Sequence, residues 1–272
     1  MARPALIVHG GAGPVPDDER LARQSAVDRA RDAGWARIGE GALSAAVAAV
    51  RQMEDEPLLN AGLGGCLNAD GVAELDAGVM EGTLRAGGVA GLRDVRHPID
   101  LAVAVLMDGR HVILAGEGAS RFARVHGVEM CDPAIFVTDR KRQEMRAAAD
   151  TVGAVARDSA GRLAVAVSTG GIAGKLPGRI GDSPLPGAGF YADDRCGAVC
   201  GTGHGEAFVR LALARLMVIE MQHGMSAAEV AQGAVRLLRE SMHSSGGVIV
   251  MGREGRPEAA FNTPAMPWAM AE

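Results

Sequence analysis

The chain has 272 residues, 48% of them hydrophobic, with 28 basic and 33 acidic side chains and a formal net charge of -5. At roughly 150 residues per domain this is one domain or two, and the composition excludes a disordered tail or a disulfide-stapled miniprotein. With only five Phe, two Trp and one Tyr to stack on bases, and an acidic balance that repels phosphate backbones, nucleic acid is excluded as a partner.

In chain order, Ala5 to Val8 is a short buried strand that runs into a glycine-rich bend at Gly10, Gly11 and Gly13. That apolar run is too short for a secretory signal, and no later stretch reaches the ~20 apolar residues of a membrane span. A cytoplasmic protein with no membrane partner is expected. Ala, Leu and Val recur at helical spacing from Arg20 to Arg51, broken at Gly34 and at Gly39 to Gly41, which predicts two helices. A glycine-rich loop, Leu59 to Asn68, precedes strands over Val72 to Met80 and Gly88 to Val95. Pro98 opens a helix to about Met107, proline being favoured in a first turn, and His111 to Leu114 is a further strand. Ala123 to Asp150 mixes charges without a core face and reads as a solvated helix or a linker.

Thr151 to Arg157 and Leu163 to Ser168 are two strands joined by a hairpin turn at Asp158 to Gly161. Gly197 to Cys200 is a strand, Glu206 to His223 and Ala227 to Ser241 are helices, and Val248 to Met251 with Pro257 to Phe261 form a closing hairpin. Cys66, Cys131, Cys196 and Cys200 form no CxxC pair and are expected as reduced, buried thiols, with Cys196 and Cys200 on one face of a strand. Strands and helices arranged in blocks predict a layered α+β fold.

Four segments carry candidate chemistry. Thr151 begins a strand directly after the charged, irregular stretch. A chain cut before it would give Thr151 a free α-amine of pKa about 7.7–8.0, able to take the proton of its own hydroxyl. A β-branched residue opening a strand is equally what ordinary packing selects. Thr169, in Ser168-Thr-Gly-Gly171, lies as far beyond the Asp158 turn as Thr151 lies before it, so pairing of the two strands brings both hydroxyls to one edge. Arg179 and Asp182 share a loop fixed by glycine and proline. A guanidinium grips a carboxylate and an aspartate grips an ammonium, so together they can clamp an amino acid; as an arbitrary pair they are a surface ion pair.

In Gly201-Thr-Gly-His-Gly-Glu206 the backbone N–H groups at a helix start suit an oxyanion or a phosphate. Gly201 and Gly203 match part of a dinucleotide fingerprint, but Glu206 occupies the third glycine position and repels a pyrophosphate. His9 and His204 lack any partner at metal-ligand spacing, and Asn60, alone in its loop, offers an amide that can position a water or an oxyanion.

Taken together, these segments resemble the plant-type (type III) L-asparaginase/isoaspartyl peptidase family of N-terminal nucleophile hydrolases. The matching stretches run nearly end to end: IVHGGAG (7–13), LLNAGLG (58–64), ELDAGVMEG (74–82), GEGA (116–119), DTVGAVA (150–156), STGG (168–171), GKLPGRIGDSP (174–184) and GTGHGE (201–206). The resemblance implies a four-layer αββα sandwich in a single domain, 1–272, that cuts itself between Asp150 and Thr151 into 1–150 and 151–272 and assembles as a homodimer of processed precursors. It implies Thr151 as nucleophile and, through its new amine, as base, with Thr169 orienting that amine. Arg179 would hold the substrate α-carboxylate, Asp182 its α-amine, and Thr202 with the Gly203 N–H the oxyanion, assisted by Asn60. No organic cofactor is implied; a structural sodium ion on the backbone of Leu58, Asn60, Leu63 and Cys66 is.

Two features depart from the asparaginase branch. Asp150 stands where that branch usually has glycine, as in the related glycosylasparaginases, to which Gly181 to Asp194 is also similar. Only the 28 residues from Ala123 to Asp150 separate the GEGA helix from Thr151, a shorter linker than typical relatives carry. Asn60 and GKLPGR (174–179) favour hydrolysis of asparagine and β-aspartyl dipeptides over a glycosylasparaginase. An unprocessed, non-catalytic binder of aspartate-like ligands and, more remotely, a nucleotide-binding protein are the readings from other classes.

Overall fold

The computed structural model describes residues 2–143 and 151–272. The first part supplies β1 (Ala5–His9), α1 (Arg20–Trp35), α2 (Ala42–Glu54), β2 (Leu75–Glu81), β3 (Ala86–Leu92), α3 (Pro98–Asp108), β4 (Ile113–Ala115), α4 (Gly116–Val125) and the short α5 (Asp139–Gln143). The second supplies β5 (Val152–Arg157), β6 (Leu163–Thr169), β7 (Phe190–Asp193), β8 (Gly197–Gly203), α6 (Gly205–Leu211), α7 (Leu213–Gln222), α8 (Ala227–Met242), β9 (Gly246–Gly252), β10 (Glu258–Phe261) and β11 (Trp268–Ala271).

Two sheets form: a seven-stranded one in the order β11-β1-β5-β6-β2-β3-β4 and a four-stranded one in the order β10-β9-β8-β7. All neighbours are antiparallel except β3 and β4. The alternation of side chains along a strand explains the layering. Leu6 and Val8 of β1 face α1 to α3, whereas Ala5 and Ile7 face the second sheet. Val248 and Val250 of β9 likewise face α6 to α8, and Ile249 and Met251 point between the sheets. The expected αββα sandwich follows, with three apolar layers: helix on sheet, sheet on sheet, sheet on helix.

Small residues set the spacing. Gly34 of α1 lies where a Cβ would stand 2.9 Å from the Ala49 Cβ and 2.8 Å from the Ala45 carbonyl of α2, so these helices close to a distance that no larger residue admits. Gly78 of β2 accepts the Phe190 ring of β7 at a point where a Cβ would lie 2.3 Å from it, which brings the sheets together. α3 starts at Pro98, as expected, and the Glu54 carboxylate accepts the Ile99 N–H at 3.0 Å. A Ser226–Glu229 capping box starts α8.

Several boundaries differ from the sequence reading. β2, β3 and β4 are shifted by one to three residues, because turns at Gly82 to Arg85 and Arg110 to Val112 set their ends. The helix expected over Glu206 to His223 breaks at Ala212, which is left-handed (φ 46°), since the Ala214 and Arg215 N–H groups donate to the Ala188 and Gly187 carbonyls instead of continuing the helix. β7 and β11 are additional edge strands of four residues each. Cys196 and Cys200 do not share a face: Cys196 sits in the turn before β8 and packs toward the helices, and Cys200 lies between the sheets. All four cysteines are unbridged. The described part of the charged stretch is mostly exposed, as expected, but not throughout. Phe136 and Lys141 are buried, and Arg140 pairs with Glu19 at 2.8 Å, docking this stretch onto the start of α1.

Candidate active site

β5 and β6 pair from Arg157↔Leu163 to Val152↔Ser168 around the Asp158 turn. The Asp158 carboxylate pins that turn by accepting the Ala160 and Arg162 N–H groups at 2.9 and 3.0 Å. One further step along the register puts Thr151 opposite Thr169, and the Thr151 hydroxyl donates to the Thr169 hydroxyl at 3.2 Å. The expected meeting of the two threonines is therefore a consequence of hairpin register. Thr169 Oγ1 also accepts the Gly171 N–H at 2.9 Å. Both threonines are buried. Asp150, on the other side of the expected cleavage point, lies outside the described residues.

Asn60 fixes the turn behind this pair. Its Nδ2 donates to the Gly171 carbonyl at 2.7 Å, its Oδ1 accepts the Cys66 N–H at 2.8 Å, and its carbonyl accepts the Gly170 N–H at 3.1 Å. Gly170 is required there, since a Cβ would meet the Cys66 nitrogen at 2.3 Å and Asn60 Oδ1 at 2.6 Å. Asn60 thus braces the Thr169 turn.

The second sheet brings up the opposite wall. Leu163, at the far end of β6, donates to Asp194 Oδ1 at 2.7 Å, and Gly153 of β5 lies against the Cys200 sulfur. β8 therefore runs from the far end toward Thr151, and Thr202, two residues beyond Cys200, points into the same space between the sheets. Thr202 is completely buried and its hydroxyl has no hydrogen-bond partner among the described residues. Gly203 follows at φ 131°, a conformation open to glycine, with the Gly246 Cα 2.6 Å from where a Cβ would be.

Arg179 and Asp182 do meet, though not as a pair. Arg179 makes a two-pronged bond to Glu206, Nε and Nη2 each donating over 2.9 Å to a carboxylate oxygen, which holds the Glu206 carboxyl below its usual range. Asp182 is buried, its Oδ2 has no partner among the described residues, and burial pushes its pKa up to about 7. A Cβ on Gly205 would fall 2.6 Å from Asp182 Oδ1 and 3.0 Å from Arg179 Nη2, so glycine at this position lets both charges line one wall.

Three contributors were not singled out from the sequence. Glu206 was read only as an obstacle to nucleotides; its place three residues after Gly203, at the start of α6, is what delivers it to Arg179. His9 lies fully buried against the Thr151 backbone, with its pKa lowered by burial to about 3, so the ring is neutral. Its Nδ1 accepts the Gly11 N–H at 3.4 Å. Asp76 pairs across β2 and β6 with Thr169, accepts the Gly91 N–H at 2.8 Å through Oδ1, and lies buried within the field of Lys175 and Arg179. His204 is exposed at the rim, 3.7 Å from Glu206. Among the described residues no cluster of three or more His, Cys, Asp or Glu could hold a metal ion.

A buried hydroxyl pair at the start of an inter-sheet strand, a guanidinium, a buried carboxyl and a glycine turn with positive φ stand at this end of an αββα sandwich, the layering of the N-terminal nucleophile hydrolases. The family described as Asparaginase matches residues 2–150 and 140–272, and the chain belongs to it. It is 39% identical over 286 residues to an isoaspartyl peptidase/L-asparaginase of Danio rerio, with 99% of this chain and 92% of that protein covered. The protein of the same name from Homo sapiens is 37% identical, with coverage of 99% and 93%. An isoaspartyl peptidase of Salmonella typhimurium is 39% identical, with coverage of 98% and 94%.

Proposed function

We propose that this chain is a self-processing amidohydrolase that cleaves the side-chain amide of L-asparagine and the isopeptide bond of β-aspartyl dipeptides. The observation that carries this reading is the 3.2 Å contact between the Thr151 and Thr169 hydroxyls, at the junction where cleavage before Thr151 would leave its amine beside Thr169. Arg179 holds the substrate α-carboxylate and Asp182 its α-ammonium, which turns the β-carbonyl toward Thr151. The Thr151 amine takes the hydroxyl proton as Oγ1 attacks that carbonyl carbon. The Thr202 hydroxyl and the Gly203 N–H donate to the resulting oxyanion. Collapse expels ammonia or an amino acid, which leaves with the proton held by the amine. Water, activated by the same amine, then hydrolyses the β-aspartyl ester and frees Thr151.

Processing gives 1–150 and 151–272, and two processed chains assemble as a dimer in the cytoplasm; no helix among the described residues is long and apolar enough to cross a membrane. A structural sodium ion on the carbonyls of Leu58, Asn60, Leu63 and Cys66 suits a loop bent by Gly62 (φ 51°). Exchanging sodium for choline should then lower the melting temperature.

The test is parallel assay of asparagine, a β-aspartyl dipeptide and an N-glycosylated asparagine. Turnover of the first two supports this reading. Turnover of the third alone supports a glycosylasparaginase, the alternative favoured by Asp150-Thr151. Stabilisation by aspartate with no hydrolysis supports a non-catalytic binder.

A further inference from the structure

The end of the sandwich away from Thr151 carries a second polar cavity. Thr151 directly precedes β5 and Arg157 ends it, so at ~3.3 Å per residue the two lie about 20 Å apart. There the lead into β1, the β5–β6 turn and the β9–β10 turn surround a depression of about 1080 Å³ lined by Arg3, Arg157, Arg162, Arg253 and Arg256.

In an acidic chain this concentration stands out, and so does the pairing around it. Many arginines elsewhere are met by carboxylates, such as Arg93 by Glu74, Arg110 by Asp108 and Arg195 by Asp193, although Arg215 instead lies over the Tyr191 ring. In the cavity, among the described residues, only Arg3 has a carboxylate in ion-pair range, Glu272 at 3.6 Å. The side chains of Arg162, Arg253 and Arg256 make no hydrogen bond or ion pair with any described residue. The other carboxylates present are Asp194, which already accepts the Leu163 N–H at 2.7 Å, and Glu254.

Arg157 organises the floor. Nearly buried, it donates to the carbonyls of Arg3 at 2.9 Å, Gly252 at 2.8 Å and Gly255 at 2.9 Å. Two of these acceptors bracket the turn that carries Arg253, and Arg256 follows directly. The rim arginines are therefore mounted on a turn already fixed by a buried cation, which lowers the ordering cost of binding.

We infer that this pole is a binding site for a small phosphorylated anion, held by Arg162, Arg253 and Arg256. Guanidinium forks match phosphoryl oxygens in pairs, several forks converging from different turns suit a multivalent anion, and the volume admits a ligand up to nucleotide size. The test is titration calorimetry and thermal melting of the full protein with inorganic phosphate, pyrophosphate and ADP at constant ionic strength. Pyrophosphate is expected to bind saturably and raise the melting temperature by several degrees. The Arg253→Ala/Arg256→Ala double variant, whose melting temperature without ligand should be unchanged, is expected to bind at least tenfold more weakly; Arg162→Ala gives the same readout if the double variant fails to fold. ADP binding tighter than pyrophosphate assigns a nucleotide, and equal binding assigns the phosphoryl groups alone. No saturable binding of any of the three, or binding undiminished in the variants, overturns the inference.

Discussion

The two halves of the site differ in how their polar groups are satisfied. On the seven-stranded sheet, Thr151, Thr169 and Asn60 are joined by hydrogen bonds of 2.7–3.2 Å, and the nucleophile is held in place by the register of its own hairpin. On the opposing wall, the Thr202 hydroxyl and one Asp182 oxygen are buried without partners among the described residues. Leaving such a group unpaired costs about 1–3 kcal/mol, and proteins keep few of them. The contrast teaches a division of labour: the first half is already hydrogen-bonded before substrate arrives, whereas on the proposed mechanism the second would be completed by the substrate's ammonium and by the oxyanion.

The largest effect that would break this division is at the hydrogen-bonded half. Thr151→Ala is expected to abolish processing and to lower kcat by at least about 10⁴-fold, as loss of a nucleophile does; turnover by a pure, uncleaved sample of that variant would refute the assignment. Thr202→Val comes next, with kcat lowered by about 10²-fold, the scale of one oxyanion donor, and KM nearly unchanged. A change confined to KM would move Thr202 out of the oxyanion site.

The smaller effects sharpen the account of the substrate wall. Asp182→Asn removes the charge that meets the ammonium and should raise KM by about tenfold or more. Because burial raises the Asp182 pKa to about 7, the wild-type KM should rise as pH falls below about 7, and the variant should lose this dependence. The sign for stability is the reverse of a paired carboxylate. A folded pKa above the unfolded value stabilises the protonated protein at low pH, and that contribution is lost as pH rises through about 7. Without ligand, Asp182→Asn should therefore melt higher than wild type at pH 8 and about equally at pH 4. Glu206→Gln is the mildest: it frees Arg179 from its two-pronged bond, and KM should rise a few-fold with kcat retained. An equal fall in kcat would show that Glu206 does more than aim the guanidinium.

Much of this was legible in the chain itself, and the parts that were not share a physical cause. The Thr151–Thr169 meeting could be read because a two-strand hairpin converts sequence spacing directly into distance. The αββα architecture came from family resemblance and was then explained by strand alternation in β1 and β9. What escaped depends on contacts between elements distant in sequence. β11 exists because β1 offers an edge 260 residues earlier, the break at Ala212 because Gly187 and Ala188 present carbonyls to α7, and the Glu206 grip because the 174–184 loop folds back onto α6. Arg179 and Asp182 were expected to act together, but that Arg179 would pair with Glu206 rather than with Asp182 was not legible.

The claim on which the rest depends is that Thr151 becomes a chain terminus. Intact mass spectrometry of freshly purified and then aged protein tests it directly. The account predicts two species whose masses divide the chain between Asp150 and Thr151. A single species persisting at 28.0 kDa in a sample that hydrolyses asparagine would contradict it.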